Sequence, residues 1–161
     1  MLIAERLREL FSYNPESGIF TRLVSTSSNA RAGDIAGWAN SKGYMFIRID
    51  GHKYKAHRLA WLYVHGEWPN GDLDHIDGHR DHNWIGNLRP ATRSQNIANM
   101  RNTNISGFKG ATRRRDCRRW SAQITVNGRK RHLGLFNTPE AAHAAYVAAA
   151  KEAFGEFARA E

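Results

Sequence analysis

The sequence predicts an α+β chain of two modules. Three observations lead there. Apolar residues recur at helical spacing in some windows and alternate in others, with glycine-bearing turns between. The net charge of +9 lies in one segment: between Arg101 and His132 ten Lys and Arg residues meet one acid, Asp116, while the remainder balances fourteen bases against fourteen acids. Six of the eight histidines fall between His52 and His82. A near-neutral part rich in imidazole therefore precedes a cationic part, and the Asn-rich stretch Asn99 to Asn104 with Ser106-Gly107 joins them.

At 161 residues the chain is one large domain or two small ones, and 41% apolar content permits an ordinary core. A pI near 10.2 points to a polyanionic partner, nucleic acid first and acidic membrane second. Cys117 is the single cysteine, which excludes an internal disulfide framework and a Cys-rich zinc site. No run of about eighteen apolar residues is present, so no transmembrane helix is expected. Met1 to Arg8 mixes charge among its apolar positions and does not read as a signal peptide. The chain is expected to be soluble and intracellular.

Residues 2–11 place Leu2, Ile3, Leu7, Leu10 and Phe11 at helical spacing. Asn14 to Gly18 is a turn, and Ile19 to Val24 a strand. Residues 25–43 read as loop. Tyr44 to Asp50 alternates, and Asp50-Gly51 turns it into a second strand, His52–Ala56. His57 to His65 is helical, stopped by Gly66 and Pro69. Leu73 to Gly78 is a strand entering a turn, Asn87-Leu88-Arg89 a returning strand, and Thr92 with Gln95 a capping box opening a helix over 93–100. Thr112–Arg115, Arg118–Val126 and Arg129–Phe136 read as three strands, with Asn127-Gly128 a hairpin turn. Pro139 then opens an Ala-rich helix to Phe154.

Asp74, His75 and Asn96 carry the candidate chemistry. Neighbours on a strand point to opposite sides, so Asp74 and His75 can do different jobs around one site. Cutting a phosphodiester needs a nucleophilic water, charge stabilisation at the phosphate and help for the leaving oxygen. A neutral imidazole suits the first task, and a divalent ion the other two. Carboxylate and amide oxygens favour Mg²⁺ or Mn²⁺ over zinc. Taken alone, an Asp-His pair is more often structural. His52, His65 and His79 read as exposed, His57 as fixing the junction of hairpin and helix, and Asp77 and Asp81 as turn formers.

The series Asp74-His75-Ile76-Asp77-Gly78, Asn83, Asn87-Leu88-Arg89, Thr92, Gln95-Asn96 closely resembles the HNH endonucleases of the ββα-metal fold, in the phage and intron homing-type branch that ends in Asn. Gly43-Tyr44, Asp50-Gly51, His57-Arg58-Leu59-Ala60-Trp61 and Gly66 extend the resemblance over about residues 13–100. It implies His75 as the general base, Asp74 and Asn96 as ligands of one Mg²⁺ or Mn²⁺, and Asn87 as the central Asn that ties the loop and helps orient the base. Products would carry 5′-phosphate and 3′-hydroxyl ends. The chain departs from the pattern at His82, where Asp is usual, and at Trp84, where Arg is common.

Gly107-Phe108-Lys109-Gly110, Trp120 to Ile124, Gly128, Leu133-Gly134, Phe136, Thr138, Glu140-Ala141-Ala142, Ala145-Tyr146, Ala149 and Gly155 resemble the plant ethylene-response-factor (Apetala-type) DNA-binding domain over about residues 107–158. That implies a small three-stranded antiparallel sheet packed on one helix, with the sheet entering the major groove. Arg113, Arg115, Arg119, Gln123 and Lys130 fall at or near the contacting positions, as does Trp120, for which a core role is equally open. Arg114 and Arg118 are assigned to phosphates.

The expected organisation is a nuclease module at residues 1–100, a linker at 101–109 and a DNA-binding module at 110–161. The expected partner is double-stranded DNA, with no membrane and no small-molecule cofactor, and the expected state a monomer or weak dimer. Its place is the cytoplasm of a bacterial host, encoded by a phage or mobile element. The rival is a non-catalytic, sequence-specific DNA-binding regulator with a degenerate nuclease module, against which the intact Asp74, His75 and Asn96 argue. An RNA-directed protein ranks lower because Gly-aromatic RNA motifs are missing. A membrane binder ranks last because the basic residues lie on expected strands.

Overall fold

The computed structural model describes residues 2–102, 104 and 106–159; Thr103 and Ile105 of the expected linker, and Ala160 and Glu161 at the end of the expected second module, lie outside them. The chain forms two compact units, one up to Pro90 and one from Ala91 onward. Both are mixed α+β, as the pattern predicts.

In the first unit, α1 (Ala4–Leu10) runs directly into β1 (Phe11–Tyr13), which pairs antiparallel with β2 (Phe20–Arg22). The expected helix stops one residue early because the pattern changes period at Phe11: Phe11 and Tyr13 are buried and Ser12 is exposed. β3 (Trp38–Ala39), β4 (Met45–Ile49) and β5 (His52–Lys55) form an antiparallel sheet in that order. The two residues of β3 lie inside the expected loop. Asp50 and Gly51 both take positive φ, 47° and 81°, which a tight two-residue hairpin turn requires. α2 (Ala56–His65) ends at left-handed Gly66, whose N–H bonds the carbonyl of Leu62. Its buried face, Leu59, Ala60 and Leu62, joins Leu7, Phe11, Phe20 and Ile47 in one core. β6 (Asp72–His75) and β7 (Leu88–Ala91) make a two-stranded sheet, with a 3-10 turn at Ile85–Asn87 before β7.

The second unit opens with α3 (Arg93–Asn99). Thr92 accepts from the N–H of Gln95 and the Gln95 side chain accepts from the N–H of Thr92, the expected capping box. β8 (Ala111–Arg113), β9 (Trp120–Val126) and β10 (Arg129–Phe136) form an antiparallel sheet in the order β10-β9-β8. A register shift between His132 and Gly134 inserts a bulge in β10. α4 (Pro139–Phe154) lies on this sheet, and its small residues permit close approach: Ala142 packs with Ala111 and Ala122, and Ala149, Ala150 and Phe154 with Ile124.

α3 is built into this unit, since Ala98 shares the core of Ile124, Tyr146 and Phe154. The Lys109 ammonium donates to the carbonyls of Ala98 (2.5 Å) and Met100 (2.6 Å), favourable at a helix C-terminus. Burial pushes that ammonium down to about 8. Gly110, at φ +77°, faces the Tyr146 ring, and a Cβ there would come within 2.2 Å of it. Gly110→Ala is expected to lower the unfolding free energy by about 2–4 kcal/mol, combining overpacking with a forced positive φ. A denaturant titration with unchanged m-value checks it. No helix among the described residues is long and apolar enough to cross a membrane.

Candidate active site

β6 places Asp74 and His75 side by side in sequence and buries both, at 3% and 5% exposure. Arg89 of β7 donates from Nε to Asp74 Oδ2 at 3.0 Å, which fixes the carboxylate against the strand that returns beside it. His75 Nε2 lies 3.2 Å from Asn83 Oδ1 in a buried contact. Asn83 Nδ2 donates to the carbonyl of Asp81 at 2.9 Å, and this orients its amide with Oδ1 toward the imidazole. An amide oxygen only accepts. His75 therefore presents Nε2–H to Asn83 and keeps its lone pair on Nδ1. Burial pushes the His75 pKa below the ordinary imidazole value, opposed by the Asn83 bond and by Asp77 and Asp74.

Asn83 is itself tied down from outside the loop. Tyr13 of β1 donates its hydroxyl to the Asn83 carbonyl at 2.8 Å, and Ile85 N–H bonds the carbonyl of Pro15. Gly18, at φ +75°, lies so close to the Asn83–Trp84 backbone that a Cβ would come within 2.3 Å of Trp84 N. The β1–β2 hairpin thus sets the position of the residue that holds the imidazole.

Asn87 spans the loop between the strands. Its Nδ2 donates to Asp77 Oδ1 (3.0 Å) and to the carbonyl of His82 (2.9 Å), and its Oδ1 accepts from Asp77 N–H (3.1 Å). It contacts the loop, whereas Asn83 hydrogen-bonds the His75 ring. Asp77 is a turn former, as expected: it accepts from His79 N–H at 2.8 Å and from His82 Nδ1 at 2.6 Å. Asn96 lies on α3, in the second unit.

His57, expected at the junction of hairpin and helix, is also buried against His75. The residue is 4% exposed, and its ring meets that of His75 edge to face, centroids 4.9 Å apart. Its Nδ1 is buried without a hydrogen-bond partner among the described residues. Burial, then His75, Lys55 and Arg58, pushes its pKa from 6.5 to about 3. The Tyr44 ring lies 5.6 Å from His57 and carries two cations, Lys55 Nζ at 4.7 Å and Arg80 at 4.9 Å, which form a basic edge beside the histidine pair. Arg58 donates to the carbonyls of Gly71 and Pro69.

The neutral state of His57 has a consequence for stability. The folded chain holds it unprotonated, while the unfolded chain protonates it near 6.5, so between these values unfolding takes up a proton. The contribution of His57 to stability is complete well above pH 6.5 and is lost as the pH drops toward 3. The loss should reach about 2–3 kcal/mol two units below 6.5, at ~1.36 kcal/mol per unit. Denaturant midpoints at pH 7.5 and 4.5 measure it, and His57→Gln should flatten the dependence.

In the second unit, Arg113, Arg115, Arg119, Gln123 and Lys130 are all exposed. Strand register sorts them further. Thr112, Ser121, Gln123, Thr125, Lys130 and His132 are cross-strand partners on the sheet face away from α4. Arg113 pairs with Trp120 on the α4 side, at the sheet's end. Trp120 is half-buried and packs on the Ala111–Ala122–Ala142 cluster, the core alternative left open by the sequence. Arg114 is held by Asp116 at 2.5 and 2.8 Å, and Arg131 approaches Glu152 of α4 at 3.9 Å. His132, absent from the sequence-derived set, stands on the outer face with its Nδ1 3.3 Å from Ser121 Oγ.

A sequence model described as HNH endonuclease matches residues 54–98, which run from β5 through both strands of the β6–β7 sheet into α3. An uncharacterized HNH endonuclease of Acanthamoeba polyphaga mimivirus is 32% identical over 123 residues, 75% of this chain and 64% of that protein. Protein 3.8 of Escherichia phage T7 is 31% identical over 112 residues, 66% of this chain and 92% of that protein. The chain thus spans just under two thirds of the mimivirus relative and nearly all of the phage one.

Proposed function

Because the chain belongs to the HNH endonuclease family, we propose that it is a metal-dependent DNA endonuclease, homing-type in character, that hydrolyses phosphodiester bonds to 5′-phosphate and 3′-hydroxyl ends. The observation that carries the reading is the state of His75: a buried imidazole whose Nε2–H is committed to Asn83 and whose basic nitrogen is therefore Nδ1. A group in that state takes a proton from water at neutral pH.

Asp74 and Asn96 would hold the single divalent ion. Their donor set fits: one carboxylate and one amide oxygen suit a hard ion such as Mg²⁺ or Mn²⁺. When bound, such an ion supplies charge neutralisation at the phosphate and at the leaving oxygen. His75 Nδ1 accepts the proton as the water oxygen forms its bond to phosphorus. The bond from phosphorus to the 3′ oxygen then breaks, and that oxygen takes up a proton to become the 3′-hydroxyl. Asn83 keeps the imidazole in the required tautomer, Asn87 braces the loop that carries Asn83, and Arg89 keeps Asp74 in place. Lys55 and Arg80 supply positive charge on the open side of the Tyr44 ring for the DNA backbone.

The second unit would bind double-stranded DNA in the manner of the ethylene-response-factor domain. A three-stranded sheet with Gln123 and Lys130 outward fits a major groove, and Arg113, Arg115 and Arg119 flank it. Supercoiled plasmid with Mg²⁺, with and without chelator, tests the whole reading. Nicking that requires the metal supports it. DNA binding without cleavage across Mg²⁺, Mn²⁺ and Ca²⁺ would instead make the chain a DNA-binding regulator.

A further inference from the structure

We propose that the loop between β6 and β7 holds a second metal site, for a transition ion such as Zn²⁺ or Ni²⁺, formed by His79, Asp81 and His82. It does not depend on the cleavage reaction proposed above. One ligand atom from each of the three residues lies within 4.8 Å of the others, near enough that small side-chain rotations bring all three onto one ion. The His82 N–H bonds the carbonyl of His79, a tight turn that brings positions i and i+3 to one side. The two imidazole rings are stacked, centroids 4.7 Å apart and 21° from parallel.

The decisive feature lies behind the ligands. His82 Nδ1 meets Asp77 Oδ2 at 2.6 Å, so Nδ1 carries the ring hydrogen toward the carboxylate and Nε2 is the nitrogen left to ligate. A metal-binding histidine is oriented in this way, by a carboxylate on its other nitrogen. Asp77 is in turn fixed by His79 N–H and by Asn87 Nδ2. Two imidazoles and one carboxylate select a borderline transition ion over Mg²⁺, the opposite preference to Asp74 and Asn96. The ion would clamp residues 79–82, and the next residue, Asn83, is the one that holds His75.

Isothermal titration of the full chain with Zn²⁺ should give one equivalent bound at micromolar or tighter affinity. Ni²⁺ should quench tryptophan fluorescence, because the Trp84 ring lies 4.9 Å from that of His82. The double substitution His79→Ala with His82→Ala should weaken binding at least about tenfold, and Asp81→Asn should weaken it less. Asp74→Ala and the pair His52→Ala with His65→Ala should leave it unchanged. Wild-type binding that survives the double substitution, binding lost with Asp74→Ala, or no saturable equivalent at all would each overturn the site. Circular dichroism matched to wild type qualifies the double variant, and Asp81→Asn repeats the test without touching an imidazole.

Discussion

His75→Ala should lower plasmid nicking by about 10²–10⁴-fold, the range that a positioned general base contributes. The effect should fall on kcat with KM little changed, because His75 is buried beside Asp74 and is reserved for the proton rather than for holding DNA. Removing Asn83 separates orientation from proton transfer. Asn83→Ala keeps the imidazole but removes the amide oxygen that fixes the proton on Nε2. A loss of about tenfold, again in kcat, with the pH profile displaced, is expected. Arg89→Ala should act through Asp74 instead, raising the Mg²⁺ concentration needed for half-maximal rate. Nicking by His75→Ala at the wild-type rate would remove His75 from the chemistry, whatever the motif implies.

How far the sequence carries depends on how local each feature is. Asp50-Gly51 and Asn127-Gly128 were legible as hairpin turns because positive φ is a property of those residues, and both pairs adopt it. Thr92 with Gln95 was legible as a cap because both bonds close within one helical turn. β1 was not: three residues are too few to display a period of two, and what makes them a strand is pairing with β2 some ten residues on. The bulge in β10 does carry a local mark, Gly134 at φ +133° inside the strand, but a glycine there does not say how the partner strand shifts.

The candidate site divides in the same way. Asp74, His75 and Asn87 could be picked out because they belong to one spaced motif. Asn83 lay in the motif without a role, because its bond to His75 exists only once the loop folds back. His57 is eighteen residues from His75 in the chain, and its position at the start of a helix gives no sign that the ring is buried against the imidazole. His82 looked like a departure from the pattern, yet its side chain is held 2.6 Å from Asp77. Loop residues gain their meaning from where the loop closes, which composition and spacing do not record.

Neutralising Arg113, Arg115, Arg119 and Lys130 together should weaken DNA binding by about 10²–10³-fold near 0.1 M salt and make its salt dependence shallower. Each lost phosphate contact removes about 0.9 from the slope of log K against log salt, so a change of up to ~3.5 is expected. In-place substitution is the clean test, because a cut after residue 100 would strip α3 of Ile124, Tyr146 and Phe154, on which Ala98 packs, and of the Lys109 ammonium. The strand register refines the expectation. Lys130 and Gln123 stand on the open sheet face, so Gln123→Ala should alter preference among DNA sequences more than overall affinity. Arg113 lies at the α4 side of the sheet's end, where a phosphate is within reach but a base edge is less so; Arg113→Ala should weaken all sequences alike. Arg114 and Arg131 give the comparison, since Asp116 and Glu152 already offset their charge and their removal should cost less than that of Arg115 or Arg119. Fluorescence anisotropy across a salt series measures affinity and slope together. A quadruple variant that keeps the wild-type slope would move the DNA contact off this sheet and onto the basic edge of Lys55 and Arg80 in the first unit.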